Sequence, residues 1–179
     1  MTDHSACGFV LKVAEHGESD KLITLYSLEL GRVTGIAKGA RKSQKRFVNK
    51  LEEFSHLRFF YRPPRGTAGL YFISEAELLC ANLPLRLDYR RYAVAIHFCE
   101  LLLRFTREND PDSRLYRLLH WTLAALCVDK APFNTLVLAH LHLLCATGYR
   151  PVLDRCGACG QPITSRCRYI LIPMNGSLV

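Results

Sequence analysis

The chain has 179 residues, of which 49% are hydrophobic and 22% charged, and its 24 Lys+Arg exceed its 16 Asp+Glu by a formal net charge of +8. That is a globular composition rather than a disordered tail, with length for one large domain or two small ones. Its eight cysteines do not read as a disulfide framework, because Cys80, Cys99, Cys127 and Cys145 sit in apolar runs where a reduced cysteine acts as a small hydrophobe. The start, Met-Thr-Asp-His-Ser-Ala-Cys-Gly, lacks the pattern of a signal peptide. The nearest thing to a membrane span, 118–128, falls well short of the roughly 20 residues required and is interrupted by His120 and Trp121. Secreted, collagenous and membrane-spanning classes are set aside, and a reducing cytoplasm is the expected compartment.

Glycine usage divides the chain. Seven of its 11 glycines lie at or before Gly69, and none lies between Leu70 and Thr147. The first part shows short stretches of period-two or β-branched character at 8–14, 22–27, 32–38, 57–61 and 70–74. Turn signals separate them, at 16–20, 29–31 and 63–66. Five short strands in about 75 residues predict a small closed barrel of OB or SH3-like type, which the pattern alone does not distinguish.

From Leu87 the period becomes helical. Asp88 to Thr106 reads as a helix with a narrow polar stripe of Arg90, His97 and Arg104, with Glu100 and Arg107 alongside. A second helix is predicted from an acidic cap at Asp110-Pro111-Asp112, with Pro111 at the first helical position, to about Val128. A third runs from near Pro132 to Gly148, a C-terminal glycine stop, and is apolar almost all round. Helices this apolar need more than each other. They must pack on the barrel, or further helices or a partner must cover them.

In the tail, Cys156-Gly-Ala-Cys159 followed by Gly160 points two thiolates at one spot, half of a tetrahedral zinc site. Cys167 is a weaker third candidate, and His140 and His142 lie on an apolar helix, where a core or interface role is the plainer reading. A thioredoxin-like redox role would need a strand before the pair and a helix opening on it. Neither is predicted here.

The charge is concentrated. Arg32, Lys38, Arg41, Lys42, Lys45, Arg46, Lys50, Arg58, Arg62 and Arg65 face only Glu52 and Glu53 within the same window, which therefore carries the whole excess of +8. Its densest part, 38–46, reads as a flexible basic loop suited to a polyanion. Catalytic patterns are missing. The stretch 35–43 only imitates a phosphate loop, since Arg41 stands where glycine is needed before Lys-Ser, and Glu52 and Glu53 would point to opposite faces of a strand. The chain is read as a non-enzyme.

Several segments together resemble the RecO family of bacterial recombination mediators. They are His16-Gly-Glu-Ser-Asp-Lys-Leu-Ile-Thr-Leu-Tyr-Ser27, Gly31-Arg-Val-Thr-Gly-Ile-Ala-Lys-Gly-Ala-Arg-Lys42, Leu51-Glu-Glu-Phe-Ser55 and Ser74-Glu-Ala-Glu-Leu78. Leu143-Leu144, Gly148, Pro151 and Cys156-x-x-Cys-Gly160 follow in order. The resemblance implies an α+β multidomain chain with an OB-fold barrel over 1–80, an incomplete α-helical domain over 81–150 and a partial zinc-finger-like module over 151–179. It implies binding of single- and double-stranded DNA, strand annealing, and work in the bacterial cytoplasm, at the nucleoid. The implied partners are RecR and the single-stranded DNA-binding protein, with the RecA recombinase served indirectly. Zinc-binding members carry a second cysteine pair beyond the point where this sequence stops, so the resemblance also implies a truncated product and puts zinc binding by this chain in doubt.

The expected DNA contacts are Arg32, Lys38, Arg41, Lys42, Lys45, Arg46 and Lys50, acting through phosphate neutralisation. Tyr26, Phe47, Phe60 and Tyr61 are candidate base-stacking residues. An alternative makes the protein an adaptor whose apolar helices take the acidic tail of the single-stranded DNA-binding protein, with Arg104, Arg107, Arg114 and Arg117 as the nearest cations. An OB protein preferring RNA is a further alternative.

Overall fold

A computed structural model describes residues 4–43, 45–64, 66, 69–129, 131–164, 168–172, 174 and 176–179. Five strands come first: β1 (His4–His16), β2 (Asp20–Ser27), β3 (Gly31–Ala37), β4 (His56–Arg62) and β5 (Tyr71–Cys80). They close in the order β1-β2-β3-β5-β4, with β4 returning to β1. All pairings are antiparallel except β3 with β5, which meet in parallel at Gly35↔Tyr71 and Ile36↔Phe72. This order and single parallel closure identify the barrel as an OB fold.

Closure makes one steric demand inside the barrel. A Cβ on Gly35 would come within 2.7 Å of the Ile73 Cδ1 methyl, so glycine lets β3 and β5 approach. The interior is filled by Val10, Ile23, Leu25, Val33, Leu57, Phe59 and Ile73, and its open end is plugged by Ala40, Phe47 and Leu51 from the segment between β3 and β4. Phe47, a candidate base-stacking residue, is 3% exposed. Its ring is a plug and cannot meet a base.

The helices are α1 (Leu83–Leu87), α2 (Tyr89–Phe105), α3 (Ser113–Val128) and α4 (Pro132–Ala146). Asp88 caps α2 by accepting from the Arg90 and Arg91 amides at 2.8 and 3.2 Å. The α3 cap is Asp112, which accepts from the Arg114 amide at 2.7 Å. Pro111 therefore precedes the cap, where the sequence placed it at the first helical position. Gly148 adopts φ +88° just past α4, as a stop residue should. A small sheet follows, β6 (Val152–Cys156), β7 (Leu171–Ile172) and β8 (Ser177–Leu178), ordered β6-β8-β7.

Barrel and helices share a core. Phe9, Leu11, Tyr26 and Phe54 turn away from the barrel interior and pack with Leu85, Phe98, Leu102, Leu115, Leu119, Leu123 and Leu126. Full burial of a large apolar side chain stabilises by about 1.5–3 kcal/mol, so this wall strongly favours docking. Tyr26, a second stacking candidate, is 0% exposed within it, and burial pushes its hydroxyl pKa up to about 12. It is structural and unavailable to a base. Polar ties rim the contact. The His56 ring stacks on Phe9 at 4.2 Å and its Nε2 lies 2.9 Å from the Tyr116 hydroxyl. Burial, with His120 nearby, lowers the pKa of His56 and favours its neutral form there. The Tyr92 hydroxyl donates to Glu53 at 2.6 Å.

The expected need for cover is met on one side only. Phe133, Val137 and Leu138 on α4 stay exposed. Glu52 and Glu53 lie in the turn before β4 rather than on a strand.

The tightest point of the docking is Gly31. It sits at φ +69°, and a Cβ there would overlap the backbone carbonyl of Asp110. Gly17 has a similar φ of +59° with open space around it. Gly31→Ala is expected to lower the unfolding free energy by about 2–4 kcal/mol in urea titration, whereas Gly17→Ala costs about 1 kcal/mol. Equal losses at the two positions would show that the Asp110 contact contributes nothing.

Candidate nucleic-acid interface

The outer wall of the barrel is divided. After α2, residues 106–112 run across the end of β2 and β3. The Asn109 amide donates to the Arg32 carbonyl at 2.9 Å, the Thr34 hydroxyl to Glu108 at 3.1 Å and the Tyr71 hydroxyl to Asn109 Oδ1 at 2.7 Å. The Arg32 guanidinium donates to the Leu103 carbonyl. Among the expected DNA contacts, Arg32 is thus placed in the seam between barrel and helices.

Beyond that seam the wall is open. The register sets Ala14 opposite Leu22, Leu22 opposite Ile36, Ile36 opposite Phe72 and Phe72 opposite Arg62. One row of outward side chains therefore crosses all five strands of the barrel. Next to it Lys12 lies opposite Thr24 and Thr24 opposite Thr34. Leu22, Ile36 and Phe72 are half-buried and leave part of their apolar surface to solvent. The Arg62 guanidinium sits 5.4 Å from the centre of the Phe72 ring. Lys12 and Lys38 are exposed at the margin, while Glu108 marks the opposite limit. OB folds use this wall, on β2 and β3 with the neighbouring loops, for oligonucleotides and oligosaccharides.

Lys38 to Lys50 lies at the adjacent end of the barrel, anchored more firmly than a flexible loop would be. The Gly39 amide donates to Asp20 at 2.8 Å, a bond that lowers the Asp20 pKa, and the Arg41 amide donates to the Ser19 carbonyl at 2.9 Å. Two of the cations act as struts. Lys50 Nζ donates to the carbonyls of Ala76, Lys45 and Arg46 at 2.7, 3.1 and 3.1 Å, and Arg46 donates to those of Ser74 and Lys38 at 3.3 Å each. Arg41 pairs with Glu15 at 3.2 Å. Lys38, Lys42 and Lys45 are exposed, and their side-chain amines take part in no hydrogen bond or ion pair found among the described residues. Their charge is available to a polyanion without breaking a contact. Carbonyl-bound Arg46 and Lys50 keep their positive field in place.

The remaining candidates scatter. Arg58 pairs with Glu77 at 3.5 Å, and Phe60 lies between Ser5 and Glu75 on the far wall. Tyr61 packs against the barrel core beside His4 and Tyr71. Arg65 and Cys167 lie outside the described residues. The row through Phe72 escaped the sequence reading. Period two puts Phe72 on one face with Leu70 and Ser74, but both faces of 70–74 are apolar, and only the β3–β5 closure shows it outward beside Ile36.

On the helices, Arg114 and Arg117 line one groove of about 530 Å³ together with Leu118, Trp121, His142, Cys145 and Ala146. Arg107 lines a separate cleft, and Arg104 lies on the exposed last turn of α2. The four arginines are not one site. In the tail, the Cys156 and Cys159 thiols interact, and backbone amides of Cys159 and Ala158 lower the Cys156 pKa. The Gly160 amide closes this turn on the Cys156 carbonyl at 2.9 Å. Two sulfur donors do not make a closed zinc site, which takes four ligands. No group of three or more metal-ligating side chains occurs among the described residues. No helix among them is long and apolar enough to cross a membrane.

Comparison with known proteins agrees with this architecture. The family model described as Recombination protein O N terminal matches residues 1–81, and that described as Recombination protein O C terminal matches residues 86–168. The DNA repair protein RecO of Syntrophobacter fumaroxidans is 38% identical over 160 residues, covering 89% of this chain and 63% of that protein. The RecO of Pelobacter propionicus is 35% identical, covering 91% and 65%. The RecO of Syntrophotalea carbinolica is 36% identical over 180 residues, covering 99% and 69%. The chain thus spans 63–69% of the length of these relatives.

Proposed function

The chain belongs to the RecO family, and we propose that it serves DNA repair by binding nucleic acid on the open wall of its barrel, without bond-breaking chemistry of its own. The observation that carries this is the five-strand row from Ala14 to Arg62, with Lys12 and Lys38 at its margin and Lys42 and Lys45 on the adjacent basic end. The lysines neutralise phosphates whatever the sequence, and the Leu22–Ile36–Phe72 surface receives unstacked bases. A strand held this way has its charge screened and part of its pairing edges exposed, which is what annealing of a complementary strand requires. Annealing of complementary strands, and recombinase loading with RecR, are proposed from family membership. Zinc is proposed on the same footing. Cys156 and Cys159 would supply two of its ligands, and the others would come from outside the described residues.

A second reading is favoured by the groove on α3 and α4. Arg114 and Arg117 rim a floor made by Leu118 and Trp121, the chemistry that takes an acidic peptide with apolar anchors, as the tail of the single-stranded DNA-binding protein would be. Arg114 is already held by Asp112 at 2.8 Å, which leaves Arg117 as the principal cation. Arg117→Glu is expected to weaken such a peptide at least ~10-fold while leaving DNA affinity unchanged, since rim-charge reversal sets like charges together. Peptide binding indifferent to Arg117→Glu would remove the groove from consideration.

For the main reading, replacing Lys38, Lys42 and Lys45 together by Ala should reduce the slope of log affinity against log salt by about 2–3 units. Phe72→Ala should leave the slope alone and cost about 1–3 kcal/mol with single strands. An unchanged slope in the triple variant would overturn the assignment. Tighter binding of RNA than of DNA in the same titration would redirect it to an RNA substrate.

A further inference from the structure

Two cysteines far apart in sequence meet where the barrel joins the helices. Cys80 is the last residue of β5, and Cys127 is the penultimate residue of α3. The Cys80 thiol donates to Asn82 Oδ1 at 3.3 Å, and the Cys127 thiol donates to the same oxygen at 3.6 Å. The two sulfurs can be no farther apart than those two distances laid end to end. Asn82 is held rigidly, at φ 45°, with its side-chain amide donating to the Phe54 carbonyl at 2.9 Å. The Cys127 backbone is held too, its carbonyl accepting from the Arg91 guanidinium at 2.6 Å. Packing accounts for the fully buried Cys99, whose thiol pKa burial pushes well up, and in part for Cys127, which lies against the same core, but not for Cys80. Cys80 is exposed and Cys127 half-buried, an arrangement of one accessible sulfur with a second behind it.

We propose that Cys80 and Cys127 are a disulfide-forming site, closed by exchange with a small-molecule disulfide, that joins the last barrel strand to α3. The Cys80 thiolate attacks one sulfur of the small disulfide RSSR, forming a mixed disulfide and expelling RS⁻. Cys127 then gives up its proton, its sulfur attacks the Cys80 sulfur, and the second RS⁻ leaves. The two thiolates take up the two protons released, so two protein thiols are oxidised while one RSSR is reduced to two RSH. Burial, together with neighbouring Cys80, raises the Cys127 pKa against an opposing effect of Arg91. Closure therefore quickens as rising pH ionises the Cys127 thiol.

The Cys156–Cys159 pair is a competing dithiol, so the test uses the whole chain carrying Cys156→Ser and Cys159→Ser. The protein is incubated with oxidised glutathione at about pH 8, alkylated, digested and mapped by mass spectrometry. The expected result is a dominant cross-link between the Cys80 and Cys127 peptides. It should vanish in Cys80→Ser and in Cys127→Ser, and the oxidised protein should melt a few degrees (~3–6 °C) above the reduced one. A stable glutathione adduct on Cys80, with Cys127 still fully alkylated after denaturation, would overturn the proposal. So would a dominant cross-link from either cysteine to any other.

Discussion

The structure depends on four side chains that face outward from the barrel. In an OB barrel, alternation sends every second residue to the outer wall, where polar or ligand-binding groups are expected. Here Phe9, Leu11 and Tyr26 are apolar or aromatic at such positions, Phe54 in the turn before β4 joins them, and all four must be covered. The helices supply the cover, and residues 106–112 secure its edge through Arg32, Thr34 and Tyr71. What is left of the wall is therefore determined by what the helices take. The covered part is apolar and neutral, and the open part holds the row ending at Phe72 and Arg62 beside the basic end of the barrel.

The same constraint explains why the basic residues divide into roles. A cation near a carbonyl-rich barrel end can be spent on structure or left for a ligand. Lys50, with three carbonyl partners, and Arg46, with two, hold the plug segment over the interior. Lys38, Lys42 and Lys45 project from that braced segment into solvent. A braced base with exposed lysines suits sequence-independent phosphate contact, because the charges sit in a defined place and a long lysine stem lets each amine adjust to the backbone it meets.

Much of this was legible in the sequence. Alternation located the five strands, and helical period in the glycine-free stretch, with the acidic cap at 110–112, located α2, α3 and α4, because these signals are local. The location of the charge excess in 32–65 was equally plain. The roles within it were not, because a strut and a free lysine differ only in which carbonyl lies nearby, and that is a tertiary fact. Tyr26 and Phe47 illustrate the same limit. Both read as aromatic residues in or beside basic strands, and both turned out to be core, one under the helices and one inside the barrel. Phe72 is the converse, an outward aromatic whose importance appears only when β5 closes on β3.

On the proposed function, helical cover over one part of the barrel wall confines nucleic acid to the rest. This confinement is tested most directly by following the backbone amides of the labelled chain by NMR while a single-stranded oligonucleotide is added. Progressive shifts are expected at Lys12, Thr24, Ile36, Lys38, Lys42 and Phe72, with Phe9, Ser5, Arg58 and Glu75 unmoved. Shifts concentrated on the far wall around Ser5, Arg58, Phe60 and Glu75, with the Ile36–Phe72 row silent, would contradict it.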